Sequence, residues 1–327
     1  MESPIYYVVG PTASGKTQIG IALAKRLCGE ILSLDSIAVY RGMDIGTAKP
    51  TTVQQSEVPH HLIDIADPWE LFDVARYVTM AEAKISEIRS RGHTPIFVGG
   101  TPMYLKVLLY GIFDGPLADL ALRAEIQREL ESLTPQAAHQ QLAMVDPIAA
   151  TRLHPNDLRR IVRAIEVYRL TGRPISSFQT QWNRRTTPPS QQEPLAESSC
   201  VDSQIAQDKK VFLIAWEREI LYKRIDQRVL QMFDAGLVEE TQRLLVTAGG
   251  LGRTASQALG YREVIDYLSG QMSHDQAIEQ TQTHTRQFAK RQLTFLRSFP
   301  ASDLQILEMH DPFDAEATAE RILSLSR

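Results

Sequence analysis

Residues 10–17 read Gly-Pro-Thr-Ala-Ser-Gly-Lys-Thr, and these residue types at this spacing can hold a chain of phosphates. Gly10 and Gly15 let the backbone curl so that its N–H groups point at phosphate oxygens. The turn between them is built from Pro11, Thr12, Ala13 and Ser14. Lys16 places a positive charge on the β or terminal phosphate. Thr17 offers a hydroxyl to Mg²⁺, and a helix beginning there presents its positive dipole end to the ligand. A short apolar strand, Ile5–Val9, precedes the loop, and Ile19, Ala22, Leu23 and Leu27 follow it at helical spacing. The pattern fixes a ligand class and leaves open what is done with the phosphates.

A second group is Asp35, which ends the apolar run Ile31-Leu32-Ser33-Leu34. An acid there can hold Mg²⁺ through water, as in P-loop NTPases. It can equally serve as a general base on a substrate N–H or O–H. The third apolar strand, Pro95–Val98, is followed by Gly99-Gly100-Thr101 rather than by an acid, which weakens a nucleotide-hydrolase reading. Thr101 can position a reacting group or cap the helix that follows. Between these lies Gly42-Met43-Asp44-Ile45-Gly46-Thr47-Ala48-Lys49-Pro50, whose glycine punctuation around Ile45 implies a close backbone approach.

Basic charge is clustered in a chain of net charge −4. Arginines stand at 152, 159, 160, 163, 169, 173, 184 and 185, against the acids Asp157 and Glu166. Arg159, Arg160 and Arg163 fall on or near one helical face. Arg286, Lys290, Arg291 and Arg297 form a second patch, interleaved with Phe288 and Phe295. Two such patches beside a phosphate loop point to a nucleic-acid partner. Arg224 and Arg228, four residues apart, can clamp a pyrophosphate or pair with Asp226 or Glu217. His60-His61 look like a metal pair but lack ligands at the right spacing, so a structural role is expected.

The elements that must position these groups read as a parallel α/β sheet. Strands are expected at Ile5–Val9, Glu30–Leu34, Pro95–Val98 and Val211–Trp216. Helices are expected at Thr17–Leu27, Phe72–Arg91, Met103–Leu109, Arg218–Ala235, Val238–Val246, Gln276–Arg297 and Ala315–Leu325. In such a sheet ligands bind beyond the carboxyl ends of the strands, where the P-loop, Asp35 and Thr101 all lie. From Asp114 to Trp182 the pattern turns helical, at Leu120–Leu133, Pro135–Met144 and Asn156–Leu170. Asn183–Lys209, rich in Pro, Gln and Ser, reads as a linker. The expected organisation is a P-loop core, 1–113 and 210–327, carrying a helical insertion at 114–182. With 327 residues and two distant cysteines, neither a disulfide framework nor a zinc finger is indicated. No apolar run reaches membrane-spanning length. A cytoplasmic monomer is expected.

Read together, these residues resemble the tRNA dimethylallyltransferases (tRNA isopentenyltransferases). The matching segments are Gly10–Thr17, Asp35–Tyr40, Gly42–Pro50, Pro59–Asp64, Val98–Thr101 with Tyr104, His154–Asp157 with Arg160, Arg163 and Glu166, Leu259–Glu263, and Thr285–Thr294. The resemblance implies transfer of a dimethylallyl group from its diphosphate to N6 of adenine 37 in tRNA, with Mg²⁺ as cofactor. It implies that the P-loop grips a leaving diphosphate, that Asp35 is the general base, and that Thr101 lies close to the reacting groups. Arg224 or Arg228 matches the diphosphate-binding arginine. The family's RNA-contact positions fall on Asp35, Ser36, Ile37 and Ala38, on Arg159, Arg160, Ile161, Val162 and Arg163, and on Gln257, Ala258, Leu259, Gly260, Tyr261 and Arg262. Arg123 matches a further RNA-proximal position, so the helical insertion is expected to clasp the anticodon stem-loop.

The chain departs from the family where Ala38 replaces a frequent Gln, Pro102 a common Gly, and Phe295 a frequent Trp. These bear on substrate fit more than on the reaction. The rival readings are a prenyltransferase of free adenine nucleotides, a P-loop kinase for a small metabolite, and a non-catalytic RNA-binding ATPase.

Overall fold

The computed structural model describes residues 3–111, 115–116, 118–178 and 208–326. These form two compact units, a core unit comprising Met1–Leu109 and Asp202–Arg327 and an inserted unit, Tyr110–Val201.

The core unit is built on a six-stranded sheet in the order β3-β2-β4-β1-β5-β6. The strands are β1 (Ile5–Val9), β2 (Gly29–Leu34), β3 (His60–His61), β4 (Thr94–Gly99), β5 (Lys209–Trp216) and β6 (Gln305–Met309). Every pairing is parallel. β1, β4 and most of β5 are buried on both faces, which is why they read as unbroken apolar runs. The first half of this unit also carries the helices α1 (Lys16–Leu27), α2 (Thr52–Glu57), α3 (Val74–Ser90) and α4 (Pro102–Tyr110).

The inserted unit contains α5 (Leu120–Glu131), α6 (Pro135–Val145), α7 (Pro147–Arg152), α8 (Leu158–Thr171) and α9 (Ile175–Phe178). The core unit then resumes with α10 (Arg218–Asp234), α11 (Leu237–Val246), α12 (Tyr261–Leu268), α13 (His274–Leu296) and α14 (Ala315–Leu325). Local chemistry starts these helices. The side chains of Asp73, Asp119, Thr134, Asp157, Ser273 and Asp314 each accept a backbone N–H in the first turn of the helix they precede.

Register aligns the functional loops. Val9 pairs with Gly99, and Gly99 pairs with Leu34. Gly10, Asp35 and Gly100 therefore leave the sheet side by side at one edge. β4 lies between β1 and β2, so the P-loop and Asp35 are two strand spacings apart, about 10 Å.

The expected elements stand, with ends moved by up to two residues. β5 begins at Lys209, inside the segment expected to be linker, and the linker positions 183–207 lie outside the described residues. The elements without a sequence expectation are α2, β3, α7, α9, α12 and β6. All but α12 have six residues or fewer, and two turns or less present too little periodicity to detect. No helix among the described residues is long and apolar enough to cross a membrane.

Candidate active site

A cleft of about 420 Å³ opens at the carboxyl edge of the sheet, entirely within the core unit. Its walls include Thr12, Ala13, Lys16 and Thr17 from the P-loop, Asp35 and Ser36 after β2, Thr101 after β4, and Arg228 on α10.

The P-loop is shaped from behind. Gly15 takes φ 86°, where a side chain would be strained, and an added Cβ would also come within 2.5 Å of the Phe313 ring. Trp216 Nε1 donates to Ser14 O at 3.0 Å, and Arg224 Nε donates to Ala13 O at 3.0 Å. The Arg224 guanidinium lies 4.4 Å over the Trp216 ring and 5.3 Å from that of Phe313. Arg224 is thus held against the outer side of the loop. Gly10, Pro11, Ser14 and Gly15 give the loop its shape without lining the cleft.

Lys16 Nζ donates to Pro11 O at 2.5 Å. Burial pushes its pKa down to about 7, Arg228 adds to the fall, and Asp35 opposes it. Arg228 is also lowered, by burial first, with Asp35 opposing. Its Nε is buried and has no hydrogen-bond partner among the described residues. Two cations are thus concentrated in a poorly solvated pocket with one carboxylate near them. Burying an unpartnered charged donor costs free energy, and an anion that enters the cleft recovers it. Thr17, at the start of α1, makes no side-chain hydrogen bond among the described residues and also faces the cleft.

Asp35 Oδ1 accepts the N–H groups of Ile37 at 2.8 Å and Ala38 at 3.1 Å. This fixes the carboxylate plane and leaves Oδ2 without a partner among the described residues. Thr101 Oγ1 accepts Ser36 N–H at 3.0 Å instead of capping α4. It therefore ties the loop after β2 to the loop after β4.

The glycine-punctuated run at 42–50 wraps a carboxylate. Glu240 on α11, 3% exposed, accepts N–H groups from Asp44 at 3.1 Å, Ile45 at 3.0 Å and Gly46 at 3.4 Å. Tyr261 donates its hydroxyl to the same carboxylate at 2.6 Å. An added Cβ at Gly46 would reach within 2.4 Å of the Tyr261 ring, which is the close approach expected from the sequence. Lys49 Nζ closes this segment on Tyr40 O, Asp44 and Asp64.

Of the remaining sequence-derived positions, Ser36, Ile37, Ala38, Gln257, Ala258, Leu259 and Arg262 line the cleft. Gly260 and Tyr261 do not. Gly260 donates its N–H to Glu263 Oε2 at 2.8 Å, and Tyr261 is fully buried. Arg262 bonds Glu263 and His284. His60 and His61 form β3, with His61 Nε2 on Glu30 and His60 Nδ1 on Val58 O.

The inserted unit treats its arginines differently. Glu166, 0% exposed, receives Arg123 at 2.7 Å, Arg163 at 2.8 Å and the Asp119 N–H at 2.8 Å. Arg169 pairs with Glu129 of α5. Ile161 and Val162 are core residues, 0% and 3% exposed. Within 159–163, only Arg159 and Arg160 present exposed side chains. Arg160 pairs weakly with Asp157 at 3.2 Å and stays 67% exposed. The local charge surplus read from the sequence omits the acids that α5 supplies.

Four contributors to the site were not assigned from sequence: Glu240, Trp216, Phe313 and Gln292. The first three come from elements far from the motifs they support. Gln292 lies inside the Thr285–Thr294 segment, where nothing but its place in that segment set it apart.

The IPP transferase family model matches residues 38–299, and an isopentenyl transferase model matches residues 3–61. The chain belongs to the IPP transferase family. A tRNA dimethylallyltransferase of Geobacter sulfurreducens is 43% identical over 317 residues, covering 97% of this chain and 96% of that one. One from Pelotomaculum thermopropionicum is 40% identical over 322 residues, covering 98% and 96%. Among solved structures, a tRNA isopentenylpyrophosphate transferase of Bacillus halodurans superposes with TM-score 0.67 at 37% identity, covering 99% of this chain and 95% of that one. A eukaryotic dimethylallyltransferase acting on tRNA gives TM-score 0.77 at 27% identity, covering 98% and 78%.

Proposed function

We propose that this enzyme transfers a dimethylallyl group from dimethylallyl diphosphate to N6 of adenine 37 in the anticodon loop of tRNA, releasing diphosphate. The observation that carries the reading is the pairing, in one cleft, of a P-loop beside the buried Arg228 Nε with a carboxylate anchored by one oxygen, the Nε and the second oxygen having no partner among the described residues.

The diphosphate occupies the P-loop side. As the allylic C–O bond breaks, its electron pair moves onto the diphosphate, whose charge rises. The loop's N–H groups, Lys16 and Arg228 meet that charge where it develops. Arg228 takes this role rather than Arg224, which is already bonded to Ala13 O. On the other side the exocyclic amine attacks the allylic carbon, forming the C–N bond. Asp35 takes the amine proton on its free oxygen while Ile37 and Ala38 hold the other. Thr101, fixed through Ser36 N–H, supports the same edge. The separation of about 10 Å between the two loops leaves room for the diphosphate, the reacting carbon and the base.

The donor set suits Mg²⁺ on the diphosphate side, because the Thr17 hydroxyl is a hard oxygen ligand on the cleft wall, where phosphate oxygens would complete the coordination. When bound, the ion would neutralise charge on the departing diphosphate. The target adenine must leave its stack to reach the cleft, at a cost of a few kcal/mol that RNA contacts offset. Arg159 and Arg160 supply phosphate contacts, and the cleft rim at Gln257–Leu259 and Arg262 meets the RNA near the base.

Mass spectrometry of bulk tRNA incubated with the enzyme, dimethylallyl diphosphate and Mg²⁺ tests the reading. A mass gain of one dimethylallyl group on the nucleoside at position 37, with none on free AMP, is expected. Transfer to AMP alone would overturn the choice of acceptor.

A further inference from the structure

Gln292 on α13 is 5% exposed, and both ends of its amide are engaged. Its Oε1 accepts the N–H of Thr12 at 3.0 Å, and its Nε2 donates to Gly100 O at 2.6 Å. Thr12 belongs to the diphosphate loop. Gly100 directly precedes Thr101. The β1–β4 ladder ends at Val9 and Gly99, so Gln292 joins the two loops just where the sheet stops joining them.

The line of bonds continues. Gly100 N–H and Thr101 N–H both donate to Leu34 O at 3.1 Å, immediately before Asp35. Thr101 Oγ1 accepts Ser36 N–H on the far side. A chain of hydrogen bonds therefore runs from the leaving-group loop, through one glutamine, to the loop that carries the base. The fit is tight: an added Cβ at Gly100 would lie 2.5 Å from Gln292 Nε2 and 2.9 Å from Gly10 O. A primary amide suits this place because it offers an acceptor and a donor side by side without charge. A carboxylate would set an acceptor against Gly100 O, and an aliphatic chain would leave Thr12 N–H and Gly100 O unpaired.

We propose that Gln292 is a positioning residue that sets the distance between the departing diphosphate and the attacking amine. It touches neither. The inference rests on the prenyl-transfer reading above. In-line displacement requires the two partners to be held in near-attack geometry, and an error of about 1 Å costs on the order of a hundredfold in rate.

The test compares Gln292→Glu and Gln292→Met with the wild type, using dimethylallyl diphosphate, an anticodon stem-loop RNA and Mg²⁺. The expected result is a kcat about tenfold to a hundredfold lower. The KM for the diphosphate and the Kd for the RNA should stay within about threefold. Rates are taken per folded site, counted by titration with inorganic diphosphate, so partial unfolding does not imitate the effect. Unchanged kcat per site would overturn the proposal. So would a loss confined to the KM for the diphosphate, which would make Gln292 only a support of the P-loop. Wild-type activity reads the transfer assignment, and the ratio of variant to wild-type kcat reads Gln292, so the two fail separately.

Discussion

Arg228 in the core unit and Arg163 in the inserted unit are both partly buried arginines near a carboxylate, yet their surroundings differ in kind. Arg163 bonds Glu166, which also collects Arg123 and the Asp119 N–H. Arg228 keeps a buried Nε without a partner among the described residues, while Asp35, the nearby acid, is turned onto the backbone of Ile37 and Ala38. The first arrangement is closed and holds helices together. The second leaves donor capacity open, which a fold tolerates where a ligand completes it. Arginine content alone does not separate the two. The partners do.

The largest expected effect sharpens the open side of this comparison. Asp35→Asn keeps an oxygen for the Ile37 and Ala38 N–H groups but cannot take a proton. Transfer should fall by about 10²–10⁴ with RNA affinity nearly unchanged, as read by single-turnover rates and by filter binding. Comparable rates would remove Asp35 from the base role. Next, Glu166→Ala breaks the closed side. It leaves Arg123 and Arg163 without their shared buried partner and should destabilise the inserted unit by about 3–5 kcal/mol, read from denaturant unfolding. A loss below about 1 kcal/mol would mean that the cluster is not holding the helices. The smallest effect concerns arginines outside both arrangements. Arg159→Ala with Arg160→Ala should leave stability within about 0.5 kcal/mol while lowering the magnitude of the salt-dependence slope of RNA binding by about 2. An unchanged slope would place those side chains away from phosphate.

The sequence was most legible where one local segment does one job. The P-loop, the strand ends bearing Asp35 and Thr101, and the parallel core could all be read from residues close together in the chain. Legibility failed where partners come from afar. The charge surplus between 152 and 185 looked larger than it is because Glu129, forty residues from Arg169, was not counted against it. The close approach at Ile45 was foreseen, but its cause, Glu240, lies on a helix nearly two hundred residues away. Arg224 and Arg228 share a helix face and look alike in sequence. Their difference is set by Ala13 O, Trp216 and Phe313, which meet Arg224 alone. The short edge strand β3 and the six-residue α7 gave too few positions for a period to show.

The central claim is that Arg228, left open in the cleft, receives the diphosphate, whereas Arg224 only braces the loop. Calorimetric titration of inorganic diphosphate with Mg²⁺ into the wild type, Arg228→Met and Arg224→Met tests it directly. The account predicts that Arg228→Met binds at least about tenfold more weakly, as expected for loss of a charge-assisted contact. It also predicts that Arg224→Met chiefly lowers the melting temperature. Equal affinity in Arg228→Met and the wild type would contradict it.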